Sequence, residues 1–208
     1  MPQTAAERKH KIVSEFRCGE ILAAATKVFA VKGFDATRMD DIAKAAGLAK
    51  GTLYLYFDSK EAIYESAVEQ ALATMAGLTE EHVAKESRFS GKLAAFIEVR
   101  IAFWHEHQQL YKIVLSISRP EQQRKRSFAR QKQTVLYLQT LFADAAKAGE
   151  IPDQDFLAAA WTTMDAIRGV NERRAYSAGR STEDDASFLT EFLLHALRYE
   201  GKYSTAEI

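Results

Sequence analysis

The residues best equipped for chemistry lie in one stretch, Thr37 to Glu61, which reads TRMDDIAKAAGLAKGTLYLYFDSKE. Lys50 and Lys60 carry charges that can neutralise phosphates, and each such contact on a duplex releases condensed counterions. Thr37 and Tyr54 offer hydroxyls to phosphate oxygens, and a helix starting near Thr37 adds backbone N–H groups. Gly51 lets a helix come close to base edges, where Thr52 and Tyr56 can read bases or thymine methyls. Spacing sorts these residues onto an outer side. Leu48, Leu53 and Phe57 fall where they pack back onto Ile42, while Ala43, four before Gly47, lets a second helix cross closely. That is the layout of a helix-turn-helix sized for the major groove. A plain helix corner has the same spacing, so spacing alone leaves DNA binding open.

Other chemistries find less support. There is no HExxH, Gly-rich phosphate loop or GxSxG elbow, and Cys18, the one cysteine, has no catalytic neighbours, so no enzyme and no cofactor are expected. His105 and His107 diverge by about 200° on a helix and do not converge on a metal. The tail Arg8-Lys9-His10-Lys11 reads as a solvated end, with a minor-groove contact as the alternative. The cluster Arg119, Arg124, Lys125, Arg126, Arg130 and Lys132 reads as a solvated loop and helix start, with a secondary DNA or nucleotide contact as the alternative.

The elements that position the Thr37–Glu61 segment are helical. Ile21, Leu22, Ala25, Val28 and Phe29 mark one buried helix face, closed by Gly33. Thr37 is read as the N-cap of the next helix, with Asp40 and Asp41 in its first turn, and a short helix spans about Lys50 to Tyr56. Ser59 caps a longer helix whose apolar stripe runs to Gly77, followed by a polar linker from Thr79 to Ser90. Further helices are expected near 91–106, 108–117, 121–147, 153–177 and 182–199, with Pro120 and Pro152 at or before helix starts and Thr182 as a cap. Tyr111 to Ile117 could be a strand by composition, but a lone strand has no partner. The chain is therefore expected to be all-α with about nine helices, divided into 1–60 and 61–208 although the periodicity runs through that cut.

With 208 residues and 47% hydrophobic content, the chain can bury a real core. Lys and Arg equal Asp and Glu at 28 each, yet residues 1–60 hold ten against seven and residues 61–208 hold 18 against 21. A mildly basic head on an acidic body fits phosphate contact without requiring it. No apolar leader or bilayer-length stretch stands out, so a cytoplasmic protein with no membrane partner is expected.

The run from Gly47 through Glu61, with Phe29, Gly33, Phe34, Thr37 and Ile42-Ala43 before it, resembles the signature of the tetracycline-repressor (TetR) family over about residues 16–64. The resemblance implies a three-helix DNA-binding domain joined through a fourth helix to a helical effector-binding and dimerisation domain. It implies that Thr37, Lys50, Gly51, Thr52, Tyr54, Tyr56 and Lys60 hold DNA-contact positions: Lys60, Tyr54 and Thr37 on phosphates, Lys50, Thr52 and Tyr56 near bases. It further implies a homodimer on a palindromic operator, most often as a repressor, released by a small-molecule effector. Two departures stand out. Ala49 replaces the usual Ser or Thr cap of the recognition helix, and Leu55 replaces a common aromatic.

Residues 91–199 carry little of that signature. Leu93, Ile97, Arg100 and Trp104 share one helix face, and Leu157, Trp161, Met164 and Arg168 another, flanked by Asp165 and Glu172. Each stripe holds an arginine among apolar residues, where an unpaired charge is costly. Two readings stand: an internal ion pair with Asp165 or Glu172, or an effector pocket lined by Phe96, Arg100, Trp104, Tyr137, Trp161, Met164, Asp165 and Arg168. Phe188, Phe192, His195, Ala196 and Tyr199 share a face of the last helix, assigned to the dimer interface, with packing inside one subunit as the alternative. A helical protein that binds a small molecule without touching DNA is the rival reading of the whole chain.

Overall fold

Helix boundaries in this chain follow buried stripes and local caps. The computed structural model describes residues 5–117, 121–177 and 179–198, and among them every regular element is a helix. In order these are α1 (Ala5–Lys32), α2 (Met39–Ala45), α3 (Lys50–Tyr54), α4 (Lys60–Ala84), α5 (Phe89–Glu106), α6 (Gln108–Ser116), α7 (Glu121–Lys147), α8 (Phe156–Tyr176) and α9 (Thr182–Leu197). None of the described helices is long and apolar enough to cross a membrane. The chain forms two compact units, Met1–Thr74 with His107–Ile117 and Met75–Glu106 with Ser118–Ile208.

The first unit is built on α1, whose Ile21, Ala25 and Phe29 are buried, and α1 packs against both α2 and α6. Phe29 and Phe34 rings lie 5.1 Å apart, and Phe34 meets Tyr64 of α4 edge-on at 5.5 Å. Gly33 closes α1 at φ 80° and Gly47 makes the α2–α3 turn at φ 66°, a region that a side chain with a Cβ rarely adopts. Four expected features differ. The N-cap of α2 is Arg38, because Asp41 reaches back 3.0 Å to accept the Arg38 N–H, and Thr37 lies one residue outside. α3 ends at Tyr54; Leu55 and Tyr56 continue as a turn. α4 passes through Gly77 to Ala84, so most of the expected linker is helix. Met75, Thr79 and Val83 explain it, being buried at i, i+4 and i+8, while Glu80, Glu81 and His82 form the solvent side. The fourth difference, at α9, concerns the second unit.

In that unit α5 packs against α9 and α8, and α7 packs along α8. Phe89, Phe96, Leu138 and Phe142 are fully buried or nearly so, and Phe89 meets Phe142 edge-on at 5.6 Å. The Glu150 carboxylate accepts the Phe89 N–H at 3.0 Å and satisfies the start of α5 from a distant loop. Asp155 caps α8 through the Ala158 N–H, three residues after Pro152. Ser181, not Thr182, caps α9 by accepting the Asp184 N–H at 3.0 Å. Buried Asp185 then receives both Arg173 and Arg174 at 2.7 Å, tying the end of α8 to the start of α9. Pro120 and Arg119 lie outside the described residues.

Candidate nucleic-acid interface and effector site

α3 has five residues, too few to be stable alone, and it is held by one side chain. Leu53 is fully buried, with Leu48 and Phe57 half-buried beside it, as their spacing predicts. The opposite side is open. Lys50 and Gly51 are exposed, Tyr54 is 44% and Leu55 83% exposed, and Thr52 and Tyr56 are half-buried. A Cβ at Gly51 would meet nothing within 4 Å, so its close-approach surface faces open space. Lys50 pairs with Asp40 of α2 at 2.7 Å, and that hydrogen bond holds its ammonium above the usual lysine range. Both partners are well exposed, so the pair is weak and Lys50 can exchange Asp40 for a phosphate. Ala49, the N-cap of α3, makes no side-chain cap bond, which leaves the N–H groups of the first turn to solvent or to a ligand.

Two expected contacts are otherwise engaged. Lys60 Nζ donates to the carbonyls of Phe34 at 2.8 Å, Asp35 at 2.9 Å and Thr37 at 3.1 Å, and sits 4.8 Å above the Phe34 ring. An ammonium has three N–H donors, and all three are committed to the α1–α2 turn. Thr37 is 2% exposed, and its hydroxyl donates to the Gly33 carbonyl at 2.7 Å. In this conformation neither side chain has a donor left for a phosphate, because each closes the turn that positions α2. Arg38, absent from the expected set, stands exposed at the start of α2. A basic residue directly before an acidic first turn was its only signal.

In the second unit the expected pocket residues separate into groups. Phe96 and Tyr137 stack at 6.1 Å, and the Arg100 guanidinium lies 3.3 Å over the Phe96 ring. Arg100 is 5% exposed; its Nη1 donates to Thr79 Oγ1 and to the Phe96 carbonyl, each at 3.1 Å. Its Nε is buried without a hydrogen bond, and no carboxylate among the described residues pairs with it. Burial pulls this guanidinium down to about 9, against a smaller opposite pull from Tyr137, and it stays charged at neutral pH. Beside Tyr137 lies an open cleft of about 300 Å³, bordered by Val83 and Leu141 with Glu80, Glu86 and Lys92 at its edge.

Arg168 and Asp165 are elsewhere. They pair with one another along α8 at 3.1 Å, both more than half exposed, which is a surface pair within one helix and not the internal ion pair expected to hold the bundle. Trp161 stacks on Phe128 at 5.4 Å, Trp104 meets Phe103 edge-on at 5.5 Å, and Met164 packs against the core. On α9, Phe188 and Phe192 are 55% and 58% exposed and stack on each other at 6.3 Å, with His195 and Ala196 exposed beside them. Tyr199 lies outside the described residues, as do the side chains of Lys9, His10, Lys11, Arg124 and Arg126. His105 and His107 are exposed, and no group that could hold a metal occurs among the described residues.

Residues 21–67 match the model of the family described as bacterial regulatory proteins, tetR family. Fifty residues are 46% identical to the biofilm operon icaADBC HTH-type negative transcriptional regulator IcaR of Staphylococcus aureus (strain Newman), covering 24% of this chain and 27% of that one. The match thus spans about a quarter of that regulator's length. Among solved structures, the transcriptional regulator FadR of Bacillus subtilis in complex with stearoyl-CoA is 25% identical, with a TM-score of 0.73 over 84% of this chain and 96% of that chain. The fatty acid degradation regulator FadR of Bacillus halodurans is 20% identical, with a TM-score of 0.78 over 88% and 97%. The likeness to these structures extends through both units and shows the fold.

Proposed function

We propose, from residues 21–67 being a tetR-family N-terminal domain, that this chain is a ligand-responsive transcriptional regulator. It binds a palindromic operator as a homodimer, represses, and is released by a small-molecule effector held in the helices of the second unit. Residues 1–60 serve as the DNA-binding segment and 61–208 as the effector-binding and dimerisation segment, in the cytoplasm.

The observation that carries this reading is the two-sided character of α3. Leu53 is fully buried while Lys50, Gly51, Tyr54 and Leu55 are exposed, a surface with no function inside the folded chain. A positive, aromatic, glycine-bearing helix face of that size suits the major groove, with Tyr54 on the backbone, Thr52 and Tyr56 toward bases, and Lys50 near the bases and within reach of a phosphate. Thr37 and Lys60 act one step back, by shaping the α1–α2 turn. Pairing two heads makes the second DNA contact intramolecular, and the exposed Phe188–Phe192 strip with His195, Ala196 and Tyr199 supplies the surface that pairs them. The effector acts only if it binds the DNA-incompetent state more tightly.

The rival, a small-molecule binding protein without DNA activity, is favoured by one observation, the buried Arg100 beside a cleft. A fluorescence titration with the DNA upstream of the chain's own gene separates the two. The regulator binds this DNA well above random duplex, and Tyr54→Ala weakens it with the oligomeric state unchanged; binding equal to random duplex rejects the reading.

A further inference from the structure

Among the described residues, no carboxylate neutralises the charge of Arg100. Its Nη1 is used by Thr79 and the Phe96 carbonyl, and its Nε is buried and unbonded. Nε and Nη2 point along the same edge of a guanidinium, the edge that a carboxylate meets with two parallel hydrogen bonds. An arginine left in this state costs stability, since a buried cation without an anion lacks the interaction that offsets its desolvation. The aromatic layer explains how it is tolerated: the cation rests on the Phe96 face at 3.3 Å, and Tyr137 stacks on the same ring.

Tyr137 belongs to two places at once. It stacks on Phe96 and also borders the cleft with Val83 and Leu141. Phe96 is fully buried and has nowhere to go, whereas Tyr137 is 38% exposed and can swing outward. The cleft, about 300 Å³ and open to solvent, takes a small organic molecule. Glu80 and Glu86 with Lys92 leave the rim net negative, which disfavours a multiply charged anion more than a singly charged one, and the Nε edge of Arg100 behind Tyr137 is the cation that a single carboxylate would meet.

We infer that the effector of the second unit is a small organic monocarboxylate, its apolar body along Val83 and Leu141 and its carboxylate on the Nε edge of Arg100 once Tyr137 moves aside. This rests on the effector-binding part of the proposed function, and it names the chemical class that part would take.

The test uses the full chain without DNA. Benzoate and hexanoate are titrated by calorimetry and thermal unfolding, beside the uncharged benzamide and hexanamide and the dianion phenylphosphate. At least one carboxylate is expected to bind saturably and raise the melting temperature, with its amide and phenylphosphate weaker by about 10- to 100-fold, the scale of a charge-assisted contact. Arg100→Met removes the preference for acid over amide while melting at or above the wild-type temperature, since it deletes an unpaired buried charge. Equal binding of acid and amide, no binding by either carboxylate, or unchanged carboxylate affinity in Arg100→Met overturns the inference. If Arg100→Met does not fold, the acid-against-amide comparison on the wild-type chain decides alone. Carboxylate binding that leaves a DNA complex intact sustains this site and counts against the ligand-released regulator, so the two failures are told apart.

Discussion

Lys60 is the residue where sequence and structure part most sharply. Its type and place suit a phosphate, yet its ammonium closes a turn through carbonyls 23 to 26 residues away in the chain. Nothing in a local pattern distinguishes these uses, because carbonyl and phosphate oxygens attract the same donor. Lys50, Gly51 and Tyr54 were legible for the opposite reason: their exposure follows directly from the inward Leu53. Arg100 was half legible, since an arginine within an apolar stripe marks a special site but not whether an acid answers it. Two variants separate the lysines. Lys60→Met is expected to lower stability by about 1–3 kcal/mol in thermal unfolding, the range for hydrogen bonds to a charged group, while the salt slope of DNA binding stays the same. Lys50→Ala leaves the melting temperature nearly unchanged, because its pair with Asp40 is exposed, but lowers the slope of log K against log salt by about 1. An unchanged slope in Lys50→Ala would remove that lysine from the phosphate contacts.

Elements were readable wherever a stripe and a stop agreed. α5, α7 and α8 lie close to their expected spans because apolar periodicity carries them, and α7 matches at both ends. Sequence pattern and structure differ where a polar run or a glycine follows an apolar stripe. Gly77 tolerates a helix at modest cost, and the buried Thr79 and Val83 continue it where polarity alone indicated a linker. The starts of α2 and α9 differ by one residue for separate reasons: Ser181 and Thr182 are equally able to cap α9, whereas at α2 the Thr37 hydroxyl donates to the Gly33 carbonyl and Asp41 reaches back to the Arg38 N–H. The uncapped start of α3 gives a prediction at this scale. Ala49→Ser supplies an oxygen to the Gly51 or Thr52 N–H and is expected to add about 0.5–2 kcal/mol to helix stability. Slower hydrogen exchange at the amides of α3 would register it, and unchanged exchange would mean that the helix is already fixed by Leu53.

For the whole molecule, the helical class and the order of helices followed from periodicity, while how the chain divides did not. The contacts that draw α6 to α1 join helices separated by the whole of α2 to α5, beyond any local signal. Self-association is likewise a property of exposed surface, and Phe188 with Phe192 forms the largest stacked aromatic strip left open on α9. Phe188→Glu with Phe192→Glu is expected to shift the sedimenting species from two chains to one, with helicity retained; a dimer that survives both would move the interface elsewhere. The central claim is that the outer face of α3 meets a duplex. Its most direct measurement is fluorescence anisotropy of the chain with a palindromic fragment from its own upstream DNA, across a salt series, beside Tyr54→Ala and random duplex. The account predicts two chains per fragment, affinity at least a hundredfold above random DNA, and a marked loss in Tyr54→Ala. Equal affinity for both duplexes, or a Tyr54→Ala variant that binds like the wild type, would contradict it.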